Sequence, residues 1–228
     1  MLERIAAGRT DLIFDWIAQG GDPRAGVEGA ELIGWCAYYG DASAIRKLVE
    51  AGVPLDALGR NLGLGGAAFH GLWRPCAWLI ERGADPNDAD PESGETALHN
   101  AVSRRDSPGM EAVVTVLLAA GADPNRVTTA GTETGCFMRD VRNRGEGALH
   151  RAAAYAPQGV IEGLMAAGAT LDHRDAHGDS PLGWGRWAVR DTAILCLLQF
   201  PPHRVNPKRT SMAAYLIGDA DRAIGRSG

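Results

Sequence analysis

One short turn, repeated along the chain, limits what this sequence can fold into. Ala51-Gly52-Val53-Pro54-Leu55-Asp56, Arg82-Gly83-Ala84-Asp85-Pro86-Asn87, Ala120-Gly121-Ala122-Asp123-Pro124-Asn125 and Ala167-Gly168-Ala169-Thr170-Leu171-Asp172 are variants of one pattern, with Gln19-Gly20-Gly21-Asp22-Pro23 as a fifth. The glycines Gly20, Gly52, Gly83, Gly121 and Gly168 stand 32, 31, 38 and 47 residues apart. A period in this range is the mark of a repeat architecture, so it is read before any local pattern.

An apolar helical stripe precedes each turn, as in Ile45, Leu48 and Val49, or Val113, Val116, Leu117 and Leu118. Glycine just past such a stripe is a helix stop, because it reaches positive φ without a Cβ penalty. After the turn a polar stretch leads into another short helix, clearest in Gly94-Glu95-Thr96-Ala97-Leu98-His99-Asn100-Ala101 and again in Gly147-Ala148-Leu149-His150-Arg151-Ala152. A third copy, Gly178-Asp179-Ser180-Pro181-Leu182-Gly183-Trp184-Gly185, has glycine in the histidine position.

These segments resemble the ankyrin repeat, whose signature runs T-P-L-H-x-A, a second helix and G-A-D-x-N. The resemblance covers about residues 2–200 and implies an all-α solenoid of stacked helix pairs with β-hairpin finger loops. It implies a single domain spanning 1–228, with an N-terminal capping half-repeat over 1–25. Repeats follow at about 26–57, 58–88, 89–125, 126–172 and 173–200, with insertions at 104–108 and 128–144. A capping segment at 201–228 closes the chain, its helix expected within Ser211 to Ala223. Terminal units of such stacks differ from the rest because one face meets water.

Composition narrows the function. A hydrophobic content of 45% is enough for a continuous core. Lys plus Arg number 23 against 28 Asp plus Glu, a net charge of -5 that argues against general nucleic-acid or anionic-membrane binding. No apolar run approaches the roughly 20 residues of a membrane span, and the N-terminus lacks signal-peptide features, so the expected location is cytoplasmic and the expected state a monomer. Cys36, Cys76, Cys136 and Cys196 form no ligand pair. Three of them read as small core residues, and Cys136 falls in a stretch that reads as loop.

His99 and His150 could be taken as a metal or acid–base pair. Both instead occupy the repeat's histidine position, where the resemblance implies hydrogen bonding within and between repeats. They lie about one repeat apart, roughly 10 Å, too far to share a metal. The Asp-Pro-Asn turns lack the spacing of a calcium loop and read as local turn formers. No nucleophile, phosphate-loop or metalloprotease motif is present, so no catalytic residue, cofactor or metal is expected.

The resemblance implies that finger tips and first-helix ends line a concave groove. Tyr38 and Tyr39, Phe69 and His70, Arg104, Arg151 and Tyr155, and Trp187 fall at or beside the positions it places there. Tyr, Trp and Arg dominate binding hot spots, yet each aromatic could equally pack on the next repeat. For Trp35 and Trp184, three residues earlier, packing is the expectation. From Asn125 to Gly145 the chain spends 20 residues where Asn87 to Gly94 needs 7. The surplus carries Arg126, Arg139, Arg142 and Arg144 against Glu133 and Asp140, a basic finger suited to an acidic peptide or a phosphate. The expected function is therefore non-catalytic binding of a protein or peptide, as adaptor, inhibitor or effector, with Arg139 and Arg142 reaching the partner. A small-ligand or enzymatic cleft where the finger closes over His150, Arg151 and Tyr155 is the alternative, and a purely structural spacer the third class.

Overall fold

The computed structural model describes residues 1–105, 107–135 and 142–207. They form an all-α repeat fold that divides into two compact units. The first comprises Met1–Asp88, Thr96–Ala101 and Ser107–Ala122, and the second the described residues of Ala89–Glu95, Val102–Asp106 and Asp123–Gly228.

In the first unit the helices run in pairs: α1 (Leu2–Ala6) with α2 (Leu12–Ala18), α3 (Leu32–Tyr38) with α4 (Ala42–Glu50), α5 (Leu64–Phe69) with α6 (Trp73–Ile80), and α7 (Ala97–Ala101) with α8 (Met110–Ala119). First helices pack on first helices (α1 on α3, α5 on α7) and second on second (α4 on α6, α6 on α8). Leu32, Ile33, Leu48, Leu64, Leu79, Leu98, Val113 and Leu117 fill the space between them at 3% exposure or less. The segment before Pro23, expected to hold half a repeat, contains a full helix pair. Among the described residues the only sheet is one ladder of two-residue strands, β1 (Gly26–Val27) antiparallel to β2 (Ala30–Glu31). The hairpin fingers of the resemblance otherwise shrink to isolated bridges such as Val127 with Gly147.

In the second unit α9 (Ala148–Tyr155) pairs with α10 (Gln158–Ala166), α11 (Pro181–Trp187) pairs with α12 (Thr192–Leu197), and α11 packs along α9. That packing is close because both helices carry small residues there. Ala152 and Ala153 are fully buried, and a Cβ on Gly185 would lie 3.1 Å from Leu195 and 3.6 Å from the Ala153 carbonyl.

The repeated glycine works as its spacing predicts. Gly52, at φ 98°, donates its N–H to the Val49 carbonyl while the Val53 N–H returns to Leu48. This is the Schellman pattern, which satisfies carbonyls a helix end would orphan. The same two bonds recur around Gly20, Gly83, Gly121 and Gly168. The asparagines do more than form local turns. Asn87 Nδ2 donates to the Gly121 carbonyl at 2.8 Å, and Asn125 Nδ2 to the Gly168 carbonyl at 2.9 Å, so each turn is tied to the next by a side chain.

Val189 adopts φ 54°, a left-handed conformation that costs a β-branched residue about 1–2 kcal/mol. It is held by its neighbour. The Arg190 guanidinium donates to the carbonyls of Ala152, Ala153 and Ala156 at the end of α9, the last at 2.6 Å.

Gly109 makes the tightest backbone approach. A Cβ there would lie 1.8 Å from the Gly71 carbonyl oxygen, a distance no rotamer can relieve because the obstacle is backbone. Gly109→Ala is expected to destabilise the protein by about 2–4 kcal/mol. Urea denaturation followed by circular dichroism checks this; an unchanged midpoint would mean that the two turns separate freely.

Candidate functional site

Arg151 sits on α9 with 0% of its surface exposed, and a guanidinium cannot shed its charge there. The site is therefore built around holding that charge. Nε donates to Glu146 Oε1 at 2.9 Å, Nη1 to Ser103 Oγ at 2.9 Å, and Nη2 to Glu95 Oε1 at 2.8 Å, Asn143 Oδ1 at 2.8 Å and Glu146 Oε1 at 2.7 Å. Glu95 and Glu146 are themselves buried. One cation between two carboxylates leaves an excess negative charge, and neutral donors spread it. Thr134 Oγ1 and the Gly135 N–H donate to Glu95 at 2.7 and 2.9 Å. Thr128 Oγ1 and the Arg144 N–H donate to Glu146 at 2.8 and 2.7 Å. Burial alone would raise both carboxyls. The Arg151 charge, with the Thr134, Gly135 and Arg144 hydrogen bonds, outweighs it and holds both below the ordinary glutamate range.

Those donors belong to the insertion. Its outgoing leg supplies Thr128, Thr134 and Gly135, and its returning leg Asn143 and Arg144. The legs also join each other: Gly131 N–H donates to the Asn143 carbonyl at 2.8 Å, Asn143 N–H to Thr132 at 2.9 Å, and Arg142 Nη1 to the Gly131 carbonyl at 2.7 Å. The foot of the finger is thus ordered and bolted to α9. Arg139 and Cys136 lie outside the described residues.

This corrects the expectation for Arg151. It faces the interior, every donor edge of its guanidinium is engaged, and it is withdrawn as a partner-contacting residue. The cleft imagined over it is filled by Glu95, Asn143 and Glu146. A pocket nearby, lined by Pro124, Asn125, Val127, His150, Thr170 and His173 among others, holds about 60 Å³. That suits a water or two, against about 300–1,000 Å³ for a small-molecule site.

The other named side chains fall into two groups, one per unit. In the first, Tyr38 stands 56% exposed, its ring 5.0 Å from Tyr39 and 5.3 Å from His70, with Phe69 5.2 Å from His70. Tyr39 also lies parallel to Trp35 at 6.5 Å and donates its hydroxyl to the Ala6 carbonyl at 2.9 Å. Tyr39 therefore ties α3 to α1, while Tyr38 offers its face to solvent. In the second unit Tyr155 is half-buried under the Arg105 guanidinium, 5.3 Å from its ring centre, and Arg104 and Arg142 are exposed. Trp187 is 79% exposed. Trp184 is buried, with Nε1 donating to Asp175 at 2.9 Å.

His99 and His150 are both 1% exposed. Nδ1 of His99 accepts from the Thr96 N–H at 3.2 Å, and Nδ1 of His150 from the Gly147 N–H at 3.3 Å, so each closes the start of its own helix. Where glycine replaces this histidine, Ser180 Oγ accepts from the Gly183 N–H. Among the described residues no group of histidine, cysteine and carboxylate side chains could hold a metal. Cys36 and Cys76 are buried thiols pushed up to about 12, chiefly by burial.

The comparisons with known proteins agree with this geometry. Residues 76–111 match the family described as ankyrin repeats (many copies). Over 114 residues the chain is 33% identical to the human "SH3 and multiple ankyrin repeat domains protein 2", covering 50% of this chain and 5% of that protein. Both findings support reading the chain as one built of ankyrin repeats. Repeats of this kind are protein-interaction modules, which supports a binding role. Among the described residues no helix is long and apolar enough to cross a membrane.

Two outcomes test the interior. Arg151→Met leaves Glu95 and Glu146 buried without their cation and is expected to cost about 3–5 kcal/mol, with part of the loss recovered when Glu95→Gln and Glu146→Gln are added. Equal denaturation midpoints for wild type and Arg151→Met would remove this cluster from the stability of the fold. His150 is lowered from 6.5 to about 4, first by burial and then by His173. Between those values the unfolded chain binds a proton that the folded chain refuses, so stability falls as pH falls. The loss from pH 6.5 to about pH 5 is expected to be about 2 kcal/mol, above the range where the depressed carboxylates titrate. Melting curves of wild type and His150→Gln across this window check it; parallel curves would refute a neutral, buried His150.

Proposed function

We propose that this chain is a non-catalytic protein-binding module, an adaptor, inhibitor or effector, in which the repeats act as one solenoid domain and the insertion helps to grip a protein or peptide partner. The observation that carries the reading is the anchored insertion. A loop that served only as solvated decoration would have no use for the Thr128, Thr134 and Asn143 side chains and the Gly135 and Arg144 N–H groups that tie its foot to Glu95, Glu146 and Arg151, whereas a preorganised loop pays less ordering entropy on binding. Tyr38 and Trp187 are the most exposed aromatic side chains among the described residues, at 56% and 79%. His70, Phe69 and Arg104 are proposed to line the same kind of surface in their own units, and Arg139 and Arg142 to act from the finger.

Removing all of 128–144 would strip the donors from Glu95 and Glu146 and is expected to destabilise the fold. The informative variant keeps the foot and replaces 136–141 by two glycines, closing a four-residue hairpin loop between Glu133 and Arg142. It is expected to melt within a few degrees of wild type and to lose partners that wild-type protein retains from lysate, identified by mass spectrometry and then titrated. Identical retention by this variant and by Tyr38→Ala would refute the proposed use of both finger and groove aromatics.

A further inference from the structure

The second unit carries a cationic, aromatic face that the repeat framework does not require. Arg104 and Arg105 follow the first helix of one repeat, and the Arg105 guanidinium lies over Tyr155 at the end of α9. The α9 terminus is in turn gripped by Arg190, whose pKa is lowered chiefly by burial, with Asp191 opposing the shift and Arg105 adding to it. Arg190 follows directly on the turn that holds Trp187 at 79% and Val189 at 38% exposure, and Arg186 beside them is exposed. Asp191 accepts from the Ile194 N–H at the start of α12 and also lies close enough to Arg190 to favour its charge, so the cationic side chains left to this face are Arg104, Arg105 and Arg186.

Three features point outward from this arrangement. Trp187 exposes a large apolar ring that contributes nothing to the core. Val189, two residues further on, stands 38% exposed and ends α11 in a left-handed conformation, its N–H donating to Arg186 and that of Arg190 to Gly185. Arginines cluster here although the whole chain carries a net charge of -5. A face of positive charge on an acidic protein attracts anionic segments selectively, since the remaining surface repels them. The exposed Trp187 indole, next in sequence to the exposed Arg186, adds an apolar anchor to that attraction.

We propose that Arg105, Arg186, Trp187 and Val189, with Tyr155, form a docking face for an acidic peptide segment that bears an apolar or aromatic side chain. The proposal rests on the protein-binding reading above and deepens it by assigning one unit, one set of side chains and one partner chemistry. The arginines read the carboxylates, and Trp187 and Val189 receive the apolar anchor.

The test uses the full chain and a random peptide library displayed on phage. Selection on wild-type protein is expected to enrich sequences rich in Asp and Glu around an aromatic or large aliphatic residue. A fluorescent synthetic copy of an enriched peptide should bind about tenfold more weakly to Trp187→Ala. It should bind Arg105→Glu/Arg186→Glu hardly at all, and its affinity for wild type should fall as salt is raised through several hundred millimolar. All substituted side chains are exposed except the Arg105 contact with Tyr155, and circular dichroism with melting confirms that each variant folds. Enriched peptides without acidic bias that are lost on Tyr38→Ala or on replacement of 136–141, but not on Trp187→Ala, would overturn this assignment and keep the protein-binding reading. No enrichment at all would overturn both. Binding to phosphatidylserine vesicles that disappears in the Arg105→Glu/Arg186→Glu variant, without peptide enrichment, would reassign the face to lipid.

Discussion

A permanently charged guanidinium with no exposed surface is the constraint from which the second unit is best understood. Desolvating such a group costs several kcal/mol, and the cost is met only when geometry is good and every donor is engaged. Arg151 meets that condition by drawing partners from four places in the chain: Glu95 from the turn before α7, Ser103 from the segment after it, Asn143 from the insertion and Glu146 from the turn before α9. Segments far apart in sequence are thereby fixed to a single side chain. The same network dictates what the insertion can be. Two carboxylates on one cation need further donors, and Thr128, Thr134, Gly135 and Arg144 supply them, so both legs of the loop are hydrogen-bonded to the buried cluster.

The repeat itself was legible in the sequence because its signals are local. A glycine after an apolar stripe has one strong explanation, and the Schellman bonds at Gly52, Gly83, Gly121 and Gly168 match it. The histidines were legible for the same reason, since Nδ1 of His99 and His150 bonds three residues back. The charge cluster was not, although a trace of it was there. Gly94-Glu95, Gly145-Glu146 and Gly178-Asp179 place an acidic residue at one register of successive repeats, and Arg151 is the large cation at the neighbouring helix position. Reading that as a pair needs the turn before α7 and the start of α9 to meet, which is long-range information. The asparagine ties between Asn87 and Gly121, and between Asn125 and Gly168, escaped for the same reason: spacing shows a turn but not which turn it touches.

A side chain that the repeat framework does not require is free to contact a partner or to serve the fold itself. Arg151 and Tyr39 both look surplus against the repeat pattern. One is wholly internal, and the other spends its hydroxyl on the Ala6 carbonyl. A residue foreign to a repeat motif can be foreign because it supports an insertion or seals a helix pair, so oddness in sequence does not by itself mean contact with a partner.

What separates the two cases is the direction in which an unmet physical requirement points. Arg151 brought a charge inward, and the chain answered with carboxylates and a structured loop, so the requirement closes inside the molecule. Trp187 and Val189 bring apolar surface outward, one at 79% exposure and the other from a strained backbone, beside the exposed Arg186. Leaving a tryptophan ring in water forgoes about 1.5–3 kcal/mol of burial, and nothing in the unit's own packing recovers it. An anionic segment with an apolar anchor would satisfy both the ring and the charge. The requirements left open at this face would close only with a second molecule present.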